Sequence, residues 1–295
     1  MNAREKSKFI GWSTSDNSRN YTKTDNPATV SVTAATKDGN TNTVNYYAVF
    51  DHVYSQAIAG VANGGGGKIY VAQTDMSLEQ VPDWYDNDQT AVVNLVKKTY
   101  YWYAKANTGY SFSGWLPSQT GTDYVSTNAK YSEEITAEST SNTDPTKKNY
   151  YAKFTINRHT LTWDFAGGST SSTTYTKAGT YDYKTAITYP ANNTMSRAGY
   201  TFNGWDKTIT NMPDENVTIT AQWTAHTNTP YKVEHYFQDI NGNYPAEPTQ
   251  TQVLYGTTDT KVTPNYYGDY TGYTAPDKQT VNIAIRRTKD ERNWY

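Results

Sequence analysis

Asn149-Tyr150-Tyr151-Ala152-Lys153-Phe154 is a near-copy of Asn45-Tyr46-Tyr47-Ala48-Val49-Phe50, and each closes a segment opened by Phe-x-Gly-Trp. The openers are Phe9-Ile10-Gly11-Trp12, Phe112-Ser113-Gly114-Trp115 and Phe202-Asn203-Gly204-Trp205, the last closed by Ile219-Thr220-Ala221-Gln222-Trp223. Such recurrence makes the chain an array of small modules. A strand sends alternate side chains to opposite faces, so the copies separate core from surface. Tyr46, Ala48 and Phe50 match Tyr150, Ala152 and Phe154, and also Ile219, Ala221 and Trp223. These are expected to face inward. Tyr47 and Val49, Tyr151 and Lys153, and Thr220 and Gln222 lie between them, share only polar or adaptable character, and are expected to meet water.

Strict alternation would put the Phe and Trp of each opener on opposite faces. A glycine between them marks a bulge or bend, so Gly11, Gly114 and Gly204 are predicted to let both aromatics enter the core. The expected core residues are Phe9, Trp12, Tyr46, Phe50, Phe112, Trp115, Tyr150, Phe154, Trp163, Phe202, Trp205 and Trp223. Burying each large side chain is worth roughly 1.5–3 kcal/mol. Gly-Trp could also form a sugar-stacking platform, but packing is the stronger reading because large aromatics dominate small cores.

Hydrophobic residues make up only 36% of the 295, yet aromatics reach 15%, with 28 Tyr, so each module rests on few, large side chains. A unit of about 70 residues buries only about 60% of its unfolded surface and is helped by its neighbours. There is no Cys, which excludes a disulfide scaffold and thiolate metal sites. The net charge of −2 has both signs scattered, so neither a nucleic-acid stripe nor a polybasic membrane anchor is present. No apolar run is long enough to insert in a membrane, and the polar stretch from Met1 has no signal-peptide core. The abrupt first opener and the aromatic finish Asn293-Trp294-Tyr295 read as a fragment of a longer protein.

Strands are expected throughout, rich in Thr, Val, Tyr and Ile and divided by Gly, Asn, Asp or Pro. Asp38-Gly39 and Asn241-Gly242 are hairpin signals. Ser77-Leu78-Glu79-Gln80 resembles a capping box, predicting a short helix near 77–82, and 91–106 should form one or two strands. Candidate linkers are 139–148, 157–159 and 224–230.

Catalytic and metal-binding patterns are scarce. His52, His159, His226 and His235 lie far apart, without the close pairs of zinc-binding helices, and no Gly-x-Ser-x-Gly elbow anchors a hydrolase. Gly64-Gly65-Gly66-Gly67-Lys68 looks like a phosphate cradle, but Ile69 stands where Ser or Thr is needed, so a hairpin or linker fits better. Asp83, Asp86 and Asp88 read as an acidic solvated loop, since no closing acid follows at calcium-loop spacing. Asp239, Asn241 and Asn243 are explained by a hairpin. No catalytic residue, cofactor or metal is expected. The best candidate binding surface is Tyr100-Tyr101-Trp102-Tyr103, because alternation puts aromatics on both faces of one strand. Tyr101 and Tyr103, with Trp84 and Tyr85, are the candidate glycan or partner contacts; aromatic pairing or contact with a neighbouring module is the alternative.

Leu161-Thr-Trp163-Asp-Phe165-Ala-Gly167-Gly168, Gly199-Tyr200-Thr-Phe202-Asn-Gly204-Trp205 and Val217-Thr-Ile-Thr-Ala221-Gln-Trp223 together resemble the internalin B-repeat. Residues 53–156, with Gly109-Tyr-Ser-Phe112-Ser-Gly114-Trp115, resemble its divergent form, and residues 1–52 resemble the second half only. The last segment, with Tyr231-Lys-Val-Glu-His-Tyr236-Phe-Gln-Asp239 and Gly272-Tyr-Thr-Ala-Pro276, is similar to the module that follows such repeats and to mucin-binding repeats. The resemblance implies a mainly β, or α+β, chain of tandem small modules in an extended array, ubiquitin-like β-grasp for the best-matched units: a truncated divergent B-repeat-like module at 1–52, a divergent B-repeat-like module at 53–156, a B-repeat-like β-grasp module at 157–226 and a B-repeat/mucin-binding-like module at 227–295. It also implies an extracellular place on a bacterial surface, a non-catalytic stalk or spacer role supporting adhesion, and contacts with neighbouring modules and with host or cell-surface glycans or proteins. The rival readings are a carbohydrate- or mucin-binding adhesin and accessory modules of a secreted glycosidase.

Overall fold

The computed structural model describes residues 6–15, 21, 23–25, 28, 45–93, 95–265, 268, 271–275 and 277–283. The hairpin signal Asp38-Gly39 and the chain end from Arg286 lie outside the described residues. The chain is mainly β, with two single-turn 3-10 helices and no α-helix among the described residues, and it divides into two compact units, residues 1–157 and 158–295.

In the first unit β1 (Ser7–Ser13) pairs antiparallel with β2 (Tyr47–His52). The strands that follow are β3 (Ser55–Val61), β4 (Gly67–Ala72), β5 (Gln89–Val93), β6 (Lys97–Ala106), β7 (Tyr110–Leu116), β8 (Lys130–Thr136) and β9 (Thr146–Ile156). They form a four-stranded sheet in the order β5-β3-β9-β7 and a three-stranded sheet in the order β4-β6-β8. In the larger sheet only the central pair, β3 with β9, is parallel. One core joins the two sheets: Ala57 and Ala59 of β3, Ile69 and Val71 of β4, Tyr100 and Trp102 of β6, and Tyr150, Ala152 and Phe154 of β9. Small residues on β3 make room for the large ones on β6, so the Trp102 indole reaches the Ile58 carbonyl at 2.9 Å.

The second unit contains β10 (Arg158–Asp164), β11 (Ser169–Thr170), β12 (Gly179–Asp182), β13 (Met195–Ser196), β14 (Tyr200–Trp205) and β15 (Val217–Ala225). Its four-stranded sheet runs β12-β10-β15-β14, again with a parallel central pair, β10 with β15. Leu161, Trp163, Ile187, Met212, Val217 and Ile219 are its buried core. In strand order both sheets are second-first-fourth-third. Beyond them β16 (Thr229–His235) and β17 (Gln250–Gly256) form an antiparallel ribbon, followed by the short pair β18 (Lys261–Val262) and β19 (Val281–Asn282).

All three glycine openers are bulged. Phe9, Phe112 and Phe202 pair with Phe50, Phe154 and Trp223, while Trp12, Trp115 and Trp205 pair with Ala48, Ala152 and Ala221. Three residues thus advance against two, which is a single-residue bulge. The bulge turns Phe and Trp to the same side, edge to face, with ring centroids 5.3, 5.7 and 5.4 Å apart in chain order. Trp115, Tyr150, Phe154 and Trp163 are buried, whereas Phe9, Trp12, Tyr46, Phe50, Phe112, Phe202, Trp205 and Trp223 are half-buried.

Several local expectations change. In the segment Tyr46–Phe50, which enters β2, the buried residue is Val49, not Tyr46, Ala48 or Phe50. Val49 is the cross-strand partner of Gly11, and the Tyr21 ring lies where a Gly11 side chain would point, so that face is the covered one. Of the candidate linkers, 139–148 runs into β9, 157–159 into β10, and 224–230 is mostly taken up by β15 and β16. The glycine run 64–67 connects β3 and β4, which belong to different sheets, so it is a crossing turn and not a hairpin. Gly64, Gly65 and Gly66 all have positive φ there. The capping-box sequence forms one 3-10 turn, Leu78–Gln80, with the Ser77 N–H donating to the Gln80 side chain at 2.9 Å. Asn241-Gly242 does form a turn, closed by Gly242 N–H to the Asp239 carbonyl at 3.0 Å.

Candidate functional site

The aromatic strand β6 lies between β4 and β8, so its alternation is read against both neighbours. Tyr100 and Trp102 face the inner core and are fully buried. Ser55 satisfies the Tyr100 hydroxyl through its Oγ at 2.8 Å and its carbonyl at 3.0 Å. Tyr101 and Tyr103 face the other side, and here the expected contact set needs correction. Tyr103 is also fully buried. The loop after β4 covers it: its hydroxyl donates to the Thr74 carbonyl at 3.2 Å and accepts the Met76 N–H at 2.9 Å. Burial pushes the Tyr103 hydroxyl pKa up. A sugar cannot stack on this ring.

Tyr101, Trp84 and Tyr85 remain half-exposed. The Lys130 ammonium lies 5.8 Å from the centre of the Tyr101 ring, and Lys130 is also paired with Asp75. Lys105 lies 5.7 Å from the Trp84 ring centre. Tyr85 stacks on Tyr70, with centroids 6.2 Å apart and planes 16° from parallel. The face thus offers aromatic surface edged with ammonium groups. Stacking and cation–π contact are what it can supply to a ligand.

The sequence reading missed a polar cluster at the edge of the inner core. Glu133 of β8 stands opposite Tyr100, and Tyr131 opposite Trp102. The Glu133 carboxylate accepts from the Tyr150 hydroxyl, from Tyr131 at 3.1 Å, and pairs with Lys148 at 3.0 Å. Burial works against its charge, but these donors outweigh burial and hold the carboxyl below its ordinary range. Burial, then the adjacent carboxylate, pushes the Tyr150 hydroxyl far up. Tyr150 therefore stays protonated and acts as a permanent donor. The arrangement anchors β8 to β9. Its signal in the sequence was the alternation Tyr131, Glu133, Ile135, which puts a carboxylate on an apolar face.

The other candidate groups are engaged locally. Asp239 accepts the backbone N–H groups of Asn243 and Asn241, both at 2.9 Å, and its pKa is lowered by them. His159 pairs with Asp214 at 2.8 Å, His226 with Thr201 at 3.0 Å and His235 with Gln252 at 3.3 Å. Among the described residues no three His, Asp or Glu side chains converge, and no helix is long and apolar enough to cross a membrane.

Curated proteins are similar to parts of this chain. Internalin H of Listeria monocytogenes serovar 1/2a is 30% identical over 160 residues, 48% of this chain and 24% of that protein. A protein named as a Gly-rich membrane protein of Evansella cellulosilytica is 26% identical over 171 residues, 54% of this chain and 18% of that protein. The matched region thus spans a quarter or less of either relative. No family model and no solved structure matches the chain.

Proposed function

We propose that the chain is a non-catalytic stalk or spacer region of a bacterial cell-surface protein, built of tandem β-grasp-like, B-repeat-like modules that support adhesion carried elsewhere on the polypeptide. The observation that carries this reading is repetition of one construction: the same single-residue bulge at three Phe-x-Gly-Trp openers, and twice the same second-first-fourth-third sheet with a parallel central pair. That strand order is the one expected of a β-grasp sheet, and the similarity to a Listeria internalin supports the surface setting. A stalk needs stiff junctions. Between β15 and β16 the chain supplies one: Thr229 and Thr258 are buried, their hydroxyls 2.5 Å apart, and Thr258 also donates to the Gly199 carbonyl at 3.0 Å. The Tyr200 hydroxyl reaches Asp259 at 2.5 Å, and Arg197 stacks on the Tyr200 ring at 3.7 Å.

A second reading, a glycan- or mucin-binding adhesin, draws on the half-exposed Tyr101, Trp84 and Tyr85 beside Lys130 and Lys105. A glycan array with immobilised mucins separates the two. The spacer reading expects no reproducible binding. Binding that disappears in the Tyr101→Ala, Trp84→Ala double variant would replace it with the adhesin.

A further inference from the structure

Among the described residues the third opener lacks a cover that the first two possess. A Cβ on Gly11 would lie 2.5 Å from the Tyr21 ring, and a Cβ on Gly114 would lie 2.5 Å from the Tyr124 ring. Each tyrosine comes nine residues after its tryptophan, Trp12 or Trp115. The segment that follows lies along the opener strand. Trp12 N–H donates to the Lys23 carbonyl and Trp115 N–H to the Ser126 carbonyl, both at 2.8 Å. The indoles donate to the Asp25 carbonyl at 3.0 Å and the Asn128 carbonyl at 3.2 Å. Both segments therefore present the same three groups in order: a tyrosine ring on the glycine, a carbonyl two residues later for the backbone, and a carbonyl four residues later for the indole.

At Gly204 none of these is found among the described residues. No heavy atom lies within 4 Å of the place its Cβ would take, although its φ of +99° demands glycine. Strand β14 is the sheet edge, and among the described residues its outer side is bridged only at Tyr200, by Arg197. Among the described residues the Trp205 indole nitrogen is buried without a hydrogen-bond partner, an uncommon state for a buried donor. Beside the glycine is a depression of about 540 Å³, lined among others by Asn192, Met195, Tyr200, Phe202 and Asn203.

We infer that the β14 edge is a docking site for an extended, tyrosine-bearing segment of a partner polypeptide. The segment adds a strand to the edge, sets its tyrosine ring on Gly204, and offers its carbonyl four residues on to the Trp205 indole. The occupant is defined by what this chain itself places at the two equivalent edges. The site goes beyond the spacer reading and does not depend on it.

The test uses the full 295-residue chain and a labelled peptide copying residues 121–130, Gly-Thr-Asp-Tyr-Val-Ser-Thr-Asn-Ala-Lys. Anisotropy gives affinity, and amide shifts locate the binding. Expected are shifts at Thr201–Trp205, about tenfold weaker binding when the peptide tyrosine is replaced by alanine, and a several-fold loss in Trp205→Phe, which keeps an aromatic six-membered ring but removes the indole donor. The inference is overturned if β14 amides do not move at millimolar peptide, if the alanine peptide binds equally, or if shifts stay confined to Tyr110–Leu116. It is also overturned if β14 shifts follow protein dilution without peptide, since the occupant is then a second copy. Should Trp205→Phe fail to fold by circular dichroism, the two peptides decide alone.

Discussion

Glu133 ties the acid response of the first unit to a single carboxylate. Its folded pKa lies below the ordinary glutamate value of 4.5, so it binds protons more weakly folded than unfolded. The stability it contributes is therefore complete above about 4.5 and is lost as pH falls through the lower, folded pKa. Glu133→Gln should cost about 1–3 kcal/mol at neutral pH and should flatten the loss of stability below that window, read from urea unfolding at stepped pH. A wild-type and variant pair that lose stability in parallel on acidification would remove Glu133 from this role. The bulge glycines give a second contrast. A Cβ on Gly114 would lie 2.5 Å from Tyr124 and 2.9 Å from the Ser126 carbonyl, which is backbone and cannot step aside. Gly114→Ala should cost roughly 2–3 kcal/mol, against roughly 1–2 for Gly204→Ala, where only the backbone conformation is penalised. Thermal melts followed by circular dichroism measure both.

Strand β6 shows why some of the structure was readable before folding and some was not. The Phe-x-Gly-Trp bulges follow from a local conflict: two aromatics three apart cannot share a face of a regular strand, and a glycine between them relieves it. That needs no distant partner. The fate of Tyr103 does, because the loop that covers it, through Thr74 and Met76, lies about thirty residues upstream and has no periodicity to announce it. The Glu133 cluster was hidden for the same reason, since it exists only through the β6–β8 register that sets Tyr100 opposite Glu133. Likewise Val49 is buried opposite Gly11, where the Tyr21 ring lies at the place a side chain would point, which nothing in β2 itself announces. The two sides of β6 should differ in energy. Trp102→Ala removes a fully buried indole bonded to Ile58 and should cost about 3–5 kcal/mol, whereas Tyr101→Ala loses a half-exposed ring and its Lys130 contact, about 1 kcal/mol. Equal shifts in the denaturant midpoint for the two would contradict the layered core.

Within the second unit, the β10–β15 sheet and the β16–β17 ribbon are linked by more than the chain running between them. The Thr258 hydroxyl can donate once, to Gly199, and so must accept from Thr229, which makes one small group bind three segments. In Thr258→Val the two sheets should tumble more independently, with nitrogen relaxation rates on β17 departing from those on β15; matching rates in variant and wild type would show that the hydroxyls do not couple them. The parallel central pairs have a consequence for a molecule under tension. In each four-stranded sheet the chain enters on one member of that pair and leaves on the other, β3 and β9 over seven residue pairs, β10 and β15 over four. A pull applied at both ends drives the two strands past one another, so their cross-links share the load and must fail together, where an antiparallel hairpin pulled at its open end would unzip link by link. The longer shear zone of β3 and β9 should then yield at the higher force, and the β10–β15 sheet should be the first to give way, a weak link that lengthens the chain before the rest is lost.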